Sequence, residues 1–520
     1  MSKRLLLLLA GLLPLFAFAQ STEKVAPAPS FDYSRNSLTI ISVIDDNCTY
    51  GYGQGAIEAF IDSVYYAEGR YDKFDFNRIP TEYISTSNTL ENVNKALEEK
   101  GIGKQVLDYW VQFDGQYFNE SLMEKRACYN ATDADVLADK SNKVSQIAAS
   151  GKALMNNSYV VVVGPTSSPT QKKNNKGETV YETKYAAHVY KVNFNDTIMT
   201  TVWENWLYEG MPEDEFKVQK SVYDNLKVEL THIESVNGSV TIKDKDASFY
   251  ASFGEGISSF DGKIDAWKPV TSVYDKRPLQ AKIGKKEGLK NSDRYRGYKV
   301  MEDAEGNIEY KPVGYARATK VYDNRTEATG ESECSYFYQI SGGKNFSEGM
   351  IMKEDKDAHV SISVSGAWNG FSYGTIGADY LFHTTRVAGI MQYVGLEIGF
   401  DMEKVNLLGD DYLNMYIPIA INYSVGFHPV RWVEIQPYVG IGADYFMPAS
   451  EMKPDDSSFA KQLAYFAHGG LKVGVNVCYP VQVFAKVGYS YKFMEGDYYF
   501  SSERDRFGTF SIGGGVKVSF

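Results

Sequence analysis

The chain has 520 residues, a length that suits about two or three domains. Its formal net charge of −12 argues against a nucleic-acid partner, because binding phosphates requires concentrated lysine and arginine. The mean hydropathy of −0.33 does not exclude a membrane protein built from strands, in which only alternate residues face lipid. The 39 Tyr and 45 Gly suit membrane interfaces and crowded strand surfaces.

The N-terminus carries an export pattern. Lys3 and Arg4 precede an apolar run, and Ala17-Phe18-Ala19 supplies small residues at the positions a signal peptidase reads. We therefore expect residues 1–19 to be a signal peptide and Gln20 to begin the mature chain. The run is shorter than the roughly 20 residues of a membrane-spanning helix. Residues 20–36 are polar and contain proline and serine, which predicts a flexible arm.

Residues 37–265 are predicted to form an α+β domain. The predicted strands are Ser37–Asp45, Tyr159–Val163, Ala186–Asn193 and Thr197–Leu207. The predicted helices are Ala56–Tyr66, Asn142–Met155 and Thr89–Trp110, the last with a break at Gly101 or Gly103. This order of elements resembles the periplasmic α/β domains of the curli secretion channel and the TolB N-terminal type. The resemblance implies a periplasmic location.

Residues 266–350 show short strands punctuated by glycine, which predicts a small β-rich module. The pattern runs through Gly284, Gly288-Leu289-Lys290, Asp293-Arg294-Tyr295 and Val313-Gly314. It resembles the small β-barrel modules of periplasmic flagellar and secretion accessory proteins. Lys353–Asp357 is predicted to be a charged hinge into the last domain.

Residues 355–520 alternate apolar and polar side chains with a period of two, which is typical of β-strands. Eight such segments begin near residues 359, 373, 391, 413, 433, 464, 481 and 507. Long polar connections are predicted at 402–412, 447–463 and 495–506, and tight turns at His428-Pro429 and Tyr479-Pro480. Alternating long and short connections are typical of membrane barrels.

The end of the chain supplies the most specific pattern. Val516, Val518 and Phe520 lie on one face of the last strand, with the aromatic residue at the terminus. This resembles the signal read by the outer-membrane barrel assembly machinery. The domain as a whole resembles the small OmpA/OmpX-type barrels, which implies an eight-stranded antiparallel transmembrane β-barrel in outer-membrane lipid. An even number of strands returns the chain to its starting side, so residues 20–350 are expected in the periplasm.

Charged residues are predicted inside this barrel by the same alternation. They are Asp379, Glu397, Glu434, Asp444, Lys472, Lys486 and Lys517. Charges of both signs in a narrow interior predict either a salt-bridged plug or charges hydrated by interior water. Neither arrangement makes a pore.

Motifs that would carry chemistry are weak. Gly51–Gly55 follows a strand but lacks the glycine spacing or the Lys-Ser/Thr of a phosphate-binding loop, so a turn is expected. Asp45-Asp46 is better read as a polar strand end than as a catalytic pair, and His468 lacks a matched serine. For Cys48 and Cys128, a disulfide between them and two free thiols are equally compatible with the sequence. Asp62-Ser63-Val64 and Asp196-Thr197-Ile198 match a short O-glycosylation motif.

The sequence therefore predicts a protein without catalytic residues, cofactor or metal. The favoured hypothesis is a barrel that anchors a periplasmic structural or interaction domain, with envelope proteins or peptidoglycan as partners. One alternative makes the outer loops an adhesin or host-interaction surface. A more remote one makes the barrel a lipid-modifying enzyme.

Overall fold

The computed structural model describes residues 36–45, 48, 73–119, 155–260, 262–302, 308–325, 333–368, 372–386, 389–407, 410–447, 463–492 and 509–520. They form a mixed α/β region, a β-sheet region and a closed eight-stranded antiparallel barrel. This confirms the predicted fold class. No helix within these ranges is long and apolar enough to cross a membrane.

The first region contains both strands and helices, mixed along the chain. Its strands are β1 (Asn36–Ile44), β2 (Phe74–Asn77), β3 (Tyr83–Ser85), β4 (Ser158–Pro165), β5 (Thr170–Lys173), β6 (Thr179–Val192) and β7 (Leu230–Ile242). Its helices are α1 (Leu90–Glu99), α2 (Ile102–Trp110), α3 (Asp196–Glu204), α4 (Glu213–Asp224) and α5 (Lys245–Ser258).

This first sheet is buried on both faces at its centre. Strand β1 pairs in parallel with β2, β3 and β4, whereas β6 pairs antiparallel with β4, β5 and β7. Val160 and Val162 of β4 pack against the cluster that contains Trp110, and Val161 and Val163 pack against the cluster around Phe253 of α5. Helices on both sides explain why β4 is a continuous apolar run instead of an alternating one.

Helix prediction was right at one place in this region and wrong at another. Gly101 adopts the left-handed conformation (φ 60°) between α1 and α2, as the predicted break requires. The predicted strand Thr197–Leu207 is instead helix α3. Asn195 caps it by accepting a hydrogen bond from the Ile198 N–H at 2.8 Å, and Ile198 and Val202, four residues apart, are buried.

The second sheet lies between this region and the barrel in sequence. Its strands are β8 (Val270–Ser272), β9 (Asp275–Lys276), β10 (Leu279–Ala281), β11 (Arg294–Glu302), β12 (Ile308–Lys320), β13 (Ser335–Gly342) and β14 (Ile351–Glu354). They follow the order β8-β14-β11-β12-β13-β10-β9 around a core that includes Tyr295, Phe337 and Met352. This sheet is called the β module below.

The barrel closes without an edge strand. Its strands are β15 (Val360–Trp368), β16 (Ser372–Thr384), β17 (Met391–Leu407), β18 (Asp410–Val430), β19 (Val433–Met447), β20 (Leu463–Cys478), β21 (Val481–Lys492) and β22 (Thr509–Ser519). Each pairs antiparallel with the next, and β22 pairs with β15 from Ser361↔Ser519 to Trp368↔Ile512.

One predicted connection of the barrel is wrong, and one predicted tight turn is displaced by a few residues. The predicted loop 402–412 is mostly strand, because β17 and β18 stay paired to Leu407↔Asp410. Its polar sequence suggested a loop, but backbone pairing does not depend on apolar residues. The turn predicted at His428-Pro429 lies at residues 431–432. Pro429 fits in the strand because the pairing register is irregular between Phe427 and Val430. No backbone N–H is needed at that position for a hydrogen bond to the neighbouring strand.

Several predictions lie outside the described residues. They are the signal peptide, the flexible arm up to residue 35, the helix Ala56–Tyr66, residues 142–154 of the helix Asn142–Met155, and the loop interiors 448–462 and 495–506.

Close packing of α5 on the sheet can be tested at Gly256. A Cβ there would lie 2.4 Å from Cγ2 of the buried Val163, so Gly256→Ala should lower the free energy of unfolding by about 1–2 kcal/mol even though alanine favours helices. Thermal unfolding of the full chain would measure it. Gly343→Ala, whose added methyl meets no atom within 4 Å, is the control. Equal stability of the two variants would contradict the packing described.

Candidate functional site

The outer surface of the barrel is apolar across neighbouring strands. Leu396, Ile421 and Ile441 are cross-strand neighbours and are 45%, 61% and 69% exposed. Most of the exposed large hydrophobic side chains of the described residues lie between Ile362 and Phe520. A soluble protein rarely exposes so large a continuous apolar surface, whereas a barrel in lipid requires it.

Aromatic side chains mark the borders of this apolar surface. Trp432, in the turn between β18 and β19, is 50% exposed, and Phe520 at the chain end is 54% exposed. Tyr465, Tyr491 and Phe510 are exposed toward the opposite end of the strands. Aromatic residues favour the boundary between hydrocarbon and water, so the two groups are placed as a membrane barrel places its girdles.

The C-terminal residues predicted as the assembly signal lie in the closing strand. Val516 and Val518 are opposite Val364 and Ile362 of β15. The Phe520 N–H donates to the Val360 carbonyl at 2.8 Å, and the Ala358 N–H donates to the Phe520 carbonyl at 2.9 Å. The last residue of the chain is therefore fixed to the first barrel strand.

The predicted interior charges are buried or half-buried, and six of the seven lie in three pairs. Lys517 Nζ lies 2.7 Å from Glu434 Oε2, and Lys486 Nζ lies 2.5 Å from Glu397 Oε1. Glu434 also accepts hydrogen bonds from Gln482 and from the Tyr393 hydroxyl, at 2.8 and 3.0 Å. Lys472 Nζ lies 3.9 Å from Asp379 Oδ2, and Asp444 is buried on the same face of the sheet.

Little space remains among these groups. A cavity of about 10 Å³ lies between Glu434, Lys472 and Lys517, which is room for about one water molecule. Around Glu434, Lys472 and Lys517 the interior is therefore filled with side chains.

His468 belongs to the same interior network. Its Nε2 lies 2.6 Å from Oδ1 of Asn422, an atom that only accepts, so Nε2 donates. Asn422 in turn donates to Glu397 at 3.1 Å. Within the described ranges no group of three His, Cys, Asp or Glu side chains is placed to hold a metal ion.

A second polar cluster joins the β module to the barrel. Arg317, which is 5% exposed, forms a bidentate ion pair with the carboxylate of Asp357. Arg294 pairs with Asp355 at 3.2 Å and with Asp357 at 3.5 Å, and it also donates to the hydroxyl of Tyr479, in the turn between β20 and β21. We call Arg294, Arg317, Asp355, Asp357 and Tyr479 the junction cluster.

The charge state of the junction follows from these contacts. Burial would raise the pKa of Asp357, but the hydrogen bond and charge of Arg317 and the charge of Arg294 hold it below its ordinary value. A depressed carboxyl pKa stabilises the folded state at neutral pH, and this contribution is lost as the pH falls below the usual carboxyl range. Burial also lowers the pKa of His359.

Further contacts fix the module to this end of the barrel, at one more turn and at the ends of two strands. Arg431 donates to the carbonyls of Gly342 and Gly343 at 2.7 and 2.8 Å. Asn476 Nδ2 donates to the Ile340 carbonyl at 3.0 Å, and Asn291 exchanges two hydrogen bonds with the backbone of Thr384. The segment Lys353–Asp357, predicted as a charged hinge, is thus held by ion pairs, and the sheet beside it contacts two turns and two strand ends of the barrel.

Sequence reasoning missed this junction. Arg317 stands between two buried alanines, Ala316 and Ala318, and a buried arginine of this kind requires a carboxylate. Asp357, just before the first barrel strand, is that carboxylate. The pairing joins residues 40 positions apart, which alternation within one strand cannot reveal.

Other sequence candidates have structural roles where they are described. Asp45 Oδ2 accepts the Asn88 N–H at 2.8 Å, whereas Asp46 and Gly51–Gly55 lie outside the described residues. Cys48 is a free thiol, which does not support the Cys48–Cys128 disulfide, and Cys128 is not described. Thr197 is exposed in the first turn of α3, and Ser63 is not described, so glycosylation stays a prediction.

Comparison with known proteins gave matches in structure alone. The scan of protein-family models and the search of curated proteins found no match. The N-terminal β-barrel domain of Pseudomonas aeruginosa OprF is similar at 13% identity, over 31% of this chain and 96% of that one, with a TM-score of 0.21. A major outer membrane protein from Thermus thermophilus is similar at 14% identity, over 31% and 98%, with a TM-score of 0.22.

The outer membrane enzyme PagL is similar at 11% identity, over 31% of this chain and 99% of that one, with a TM-score of 0.21. Scores this low carry no argument about function. The barrel is established by its own strand pairing.

The interior ion pairs can be tested at Glu434. Glu434→Gln leaves the Lys517 ammonium buried without its carboxylate, which should lower barrel stability by about 3–5 kcal/mol. Asp379→Asn, which removes a carboxylate at 3.9 Å from Lys472, should cost less. The urea midpoint for loss of the folded, fast-migrating band on unheated gels measures both. Equal urea midpoints for the two variants would show that the Glu434–Lys517 pair adds nothing to barrel stability.

The junction cluster can be tested with two neighbouring aspartates. Asp357→Asn leaves two buried guanidinium groups without their shared carboxylate and should weaken docking of the β module by about 3–5 kcal/mol. Asp355→Asn, at a side chain that is 35% exposed, should cost under about 1 kcal/mol. The rate of protease cleavage between residues 354 and 360 of the detergent-solubilised chain measures docking. Similar rates for the two variants would contradict the assigned role of Asp357.

Proposed function

We propose that this protein is an outer-membrane anchor whose barrel holds two periplasmic domains, the α/β region and the β module, against the inner face of the membrane. The observation that carries the proposal is the junction cluster. Arg317, 5% exposed, pairs with Asp357 at the point where the chain enters the barrel. A chain that needed only a tether could use a loose linker, whereas this one contacts the barrel at the end of β16 and at two turns.

The direction of insertion is inferred from the connections. The chain enters and leaves the barrel at the same end, where Ala358 and Phe520 are hydrogen-bonded. The connections at that end are short, as at residues 431–432 and 479–480, and intervals 448–462 and 493–508 separate the strands at the other end. Outer-membrane barrels have short turns on the periplasmic side and longer loops outside.

A non-enzymatic role is favoured because the polar side chains of the interior bind one another. The Lys–Glu pairs and the Glu397–Asn422–His468 chain occupy the groups that could otherwise act on a substrate. Envelope proteins or peptidoglycan are the partners we propose for the anchored domains.

Separating the barrel from the rest of the chain tests the anchor. Residues 1–354 expressed without the barrel should appear in the soluble periplasmic fraction, whereas the full chain should sediment with outer membranes. Immunoblots of fractionated cells measure the distribution, and the Asp355→Asn full chain is the control for substitution near the junction. Sedimentation of the barrel-less chain with outer membranes would contradict an anchoring role for the barrel.

A further inference from the structure

A groove of about 650 Å³ lies where the β module meets the barrel. The module contributes the hairpin of β9 and β10 and the strand β13. The barrel contributes Arg386, the end of β18 at Pro429 and Val430, and Arg431 in the turn that follows. Four of its described lining residues are cationic and none is acidic: Lys276, Arg277, Arg386 and Arg431. In a chain with a net charge of −12, this concentration of positive charge is local and points to an anionic ligand.

The four cations are engaged to different degrees. Arg431 is bound to the carbonyls of Gly342 and Gly343 and so holds the groove together. Lys276 lies 3.4 Å from Glu348 in an exposed ion pair. Arg277 and Arg386 are exposed, and neither forms an ion pair with a carboxylate in the described ranges. These two guanidinium groups are therefore the ones available to a ligand.

Arg386 is also held in place. Its guanidinium carbon lies 3.7 Å from the centroid of the Tyr336 ring, which covers one face of the group and leaves the N–H donors at its edges. Stacking of this kind fixes the planar fork of donors that suits a phosphate or carboxylate. A stacked arginine loses less conformational freedom when an anion binds.

The position of the groove identifies the source of the anion. Val430 lines it and is 44% exposed, and the neighbouring Trp432 is 50% exposed. An exposed tryptophan in a barrel turn lies at the level of lipid headgroups. The groove thus combines cations at headgroup level with an apolar side chain on the face of the barrel that contacts acyl chains.

We propose that this groove binds the headgroup of an anionic phospholipid from the inner leaflet, with Arg277 and Arg386 on the phosphate and Val430 beside the acyl chains. The proposal rests on the proposed function, because it places this end of the barrel at the inner leaflet. It gives the β module a role of its own, since the module and the membrane-embedded barrel together would clamp one lipid.

The binding test uses the full chain in a non-ionic detergent. Dihexanoyl phosphatidylglycerol is titrated below the concentration at which it forms micelles, and its binding is followed by calorimetry. Dihexanoyl phosphatidylcholine and inorganic phosphate are titrated in parallel. We expect saturable binding of the anionic lipid that is tighter than binding of either comparator.

Substitutions assign the binding to the groove. Arg277→Gln with Arg386→Gln should weaken binding of the anionic lipid about thirtyfold, since each arginine near an anionic headgroup contributes roughly fivefold. Arg325→Gln, at an arginine outside the groove that pairs with Asp323, should leave binding unchanged. Arg386→Lys keeps the charge without the fork and should bind with intermediate affinity.

Each remaining outcome overturns the proposal. Equal binding of both lipids, or binding that survives the double substitution, would remove the groove from any role in lipid recognition. Inorganic phosphate binding as tightly as the lipid would make this a free-phosphate site. Fast migration on unheated gels, measured on the same samples, reports barrel folding. The fractionation experiment reports anchoring without any lipid titration, so failed binding and a failed anchor are distinguishable.

Discussion

The backbone ladder between β15 and β22 is the constraint on which the rest of the structure depends. It joins Ser361 to Ser519 and Trp368 to Ile512, and it removes the two unpaired edges that an open sheet would expose to lipid. Because the number of strands is even, closure brings Ala358 and Phe520 to the same end of the barrel. The β module, which enters at that end, therefore has the barrel turns as its nearest surface.

The two faces of the closed sheet follow different rules. Outward residues such as Ile421 and Ile441 are apolar and exposed, while inward residues such as Glu434 and Lys517 are buried and paired. Burying a charge without a partner is costly, so the interior is stable only while both members of each pair are present. The same logic recurs at the junction cluster, where Asp357 serves two arginines. Polar pairing thus fills the barrel and also fixes its neighbour.

Sequence patterns predicted those features of the fold that depend on local periodicity. Alternation located all eight barrel strands and the side on which Glu434 and Lys486 lie, and Gly101 marked a helix boundary. It failed where tertiary packing overrides local appearance. Thr197–Leu207 looked extended, but the Asn195 cap and burial of Ile198 and Val202 make it helical. The junction and the groove join segments that are distant in sequence, such as Arg386 and Tyr336, and no period within one strand reports such contacts.

The central claim is that the barrel spans the outer membrane with its N-terminal domains on the periplasmic side, and cysteine labelling tests it most directly. Two variants lacking the native cysteines would carry either Asp456→Cys, between β19 and β20, or Ser347→Cys, exposed on the β module. A membrane-impermeant maleimide should label the first variant in intact cells and the second only after the outer membrane is permeabilised. Labelling of the Ser347→Cys variant in intact cells would put the β module on the cell surface and contradict the account.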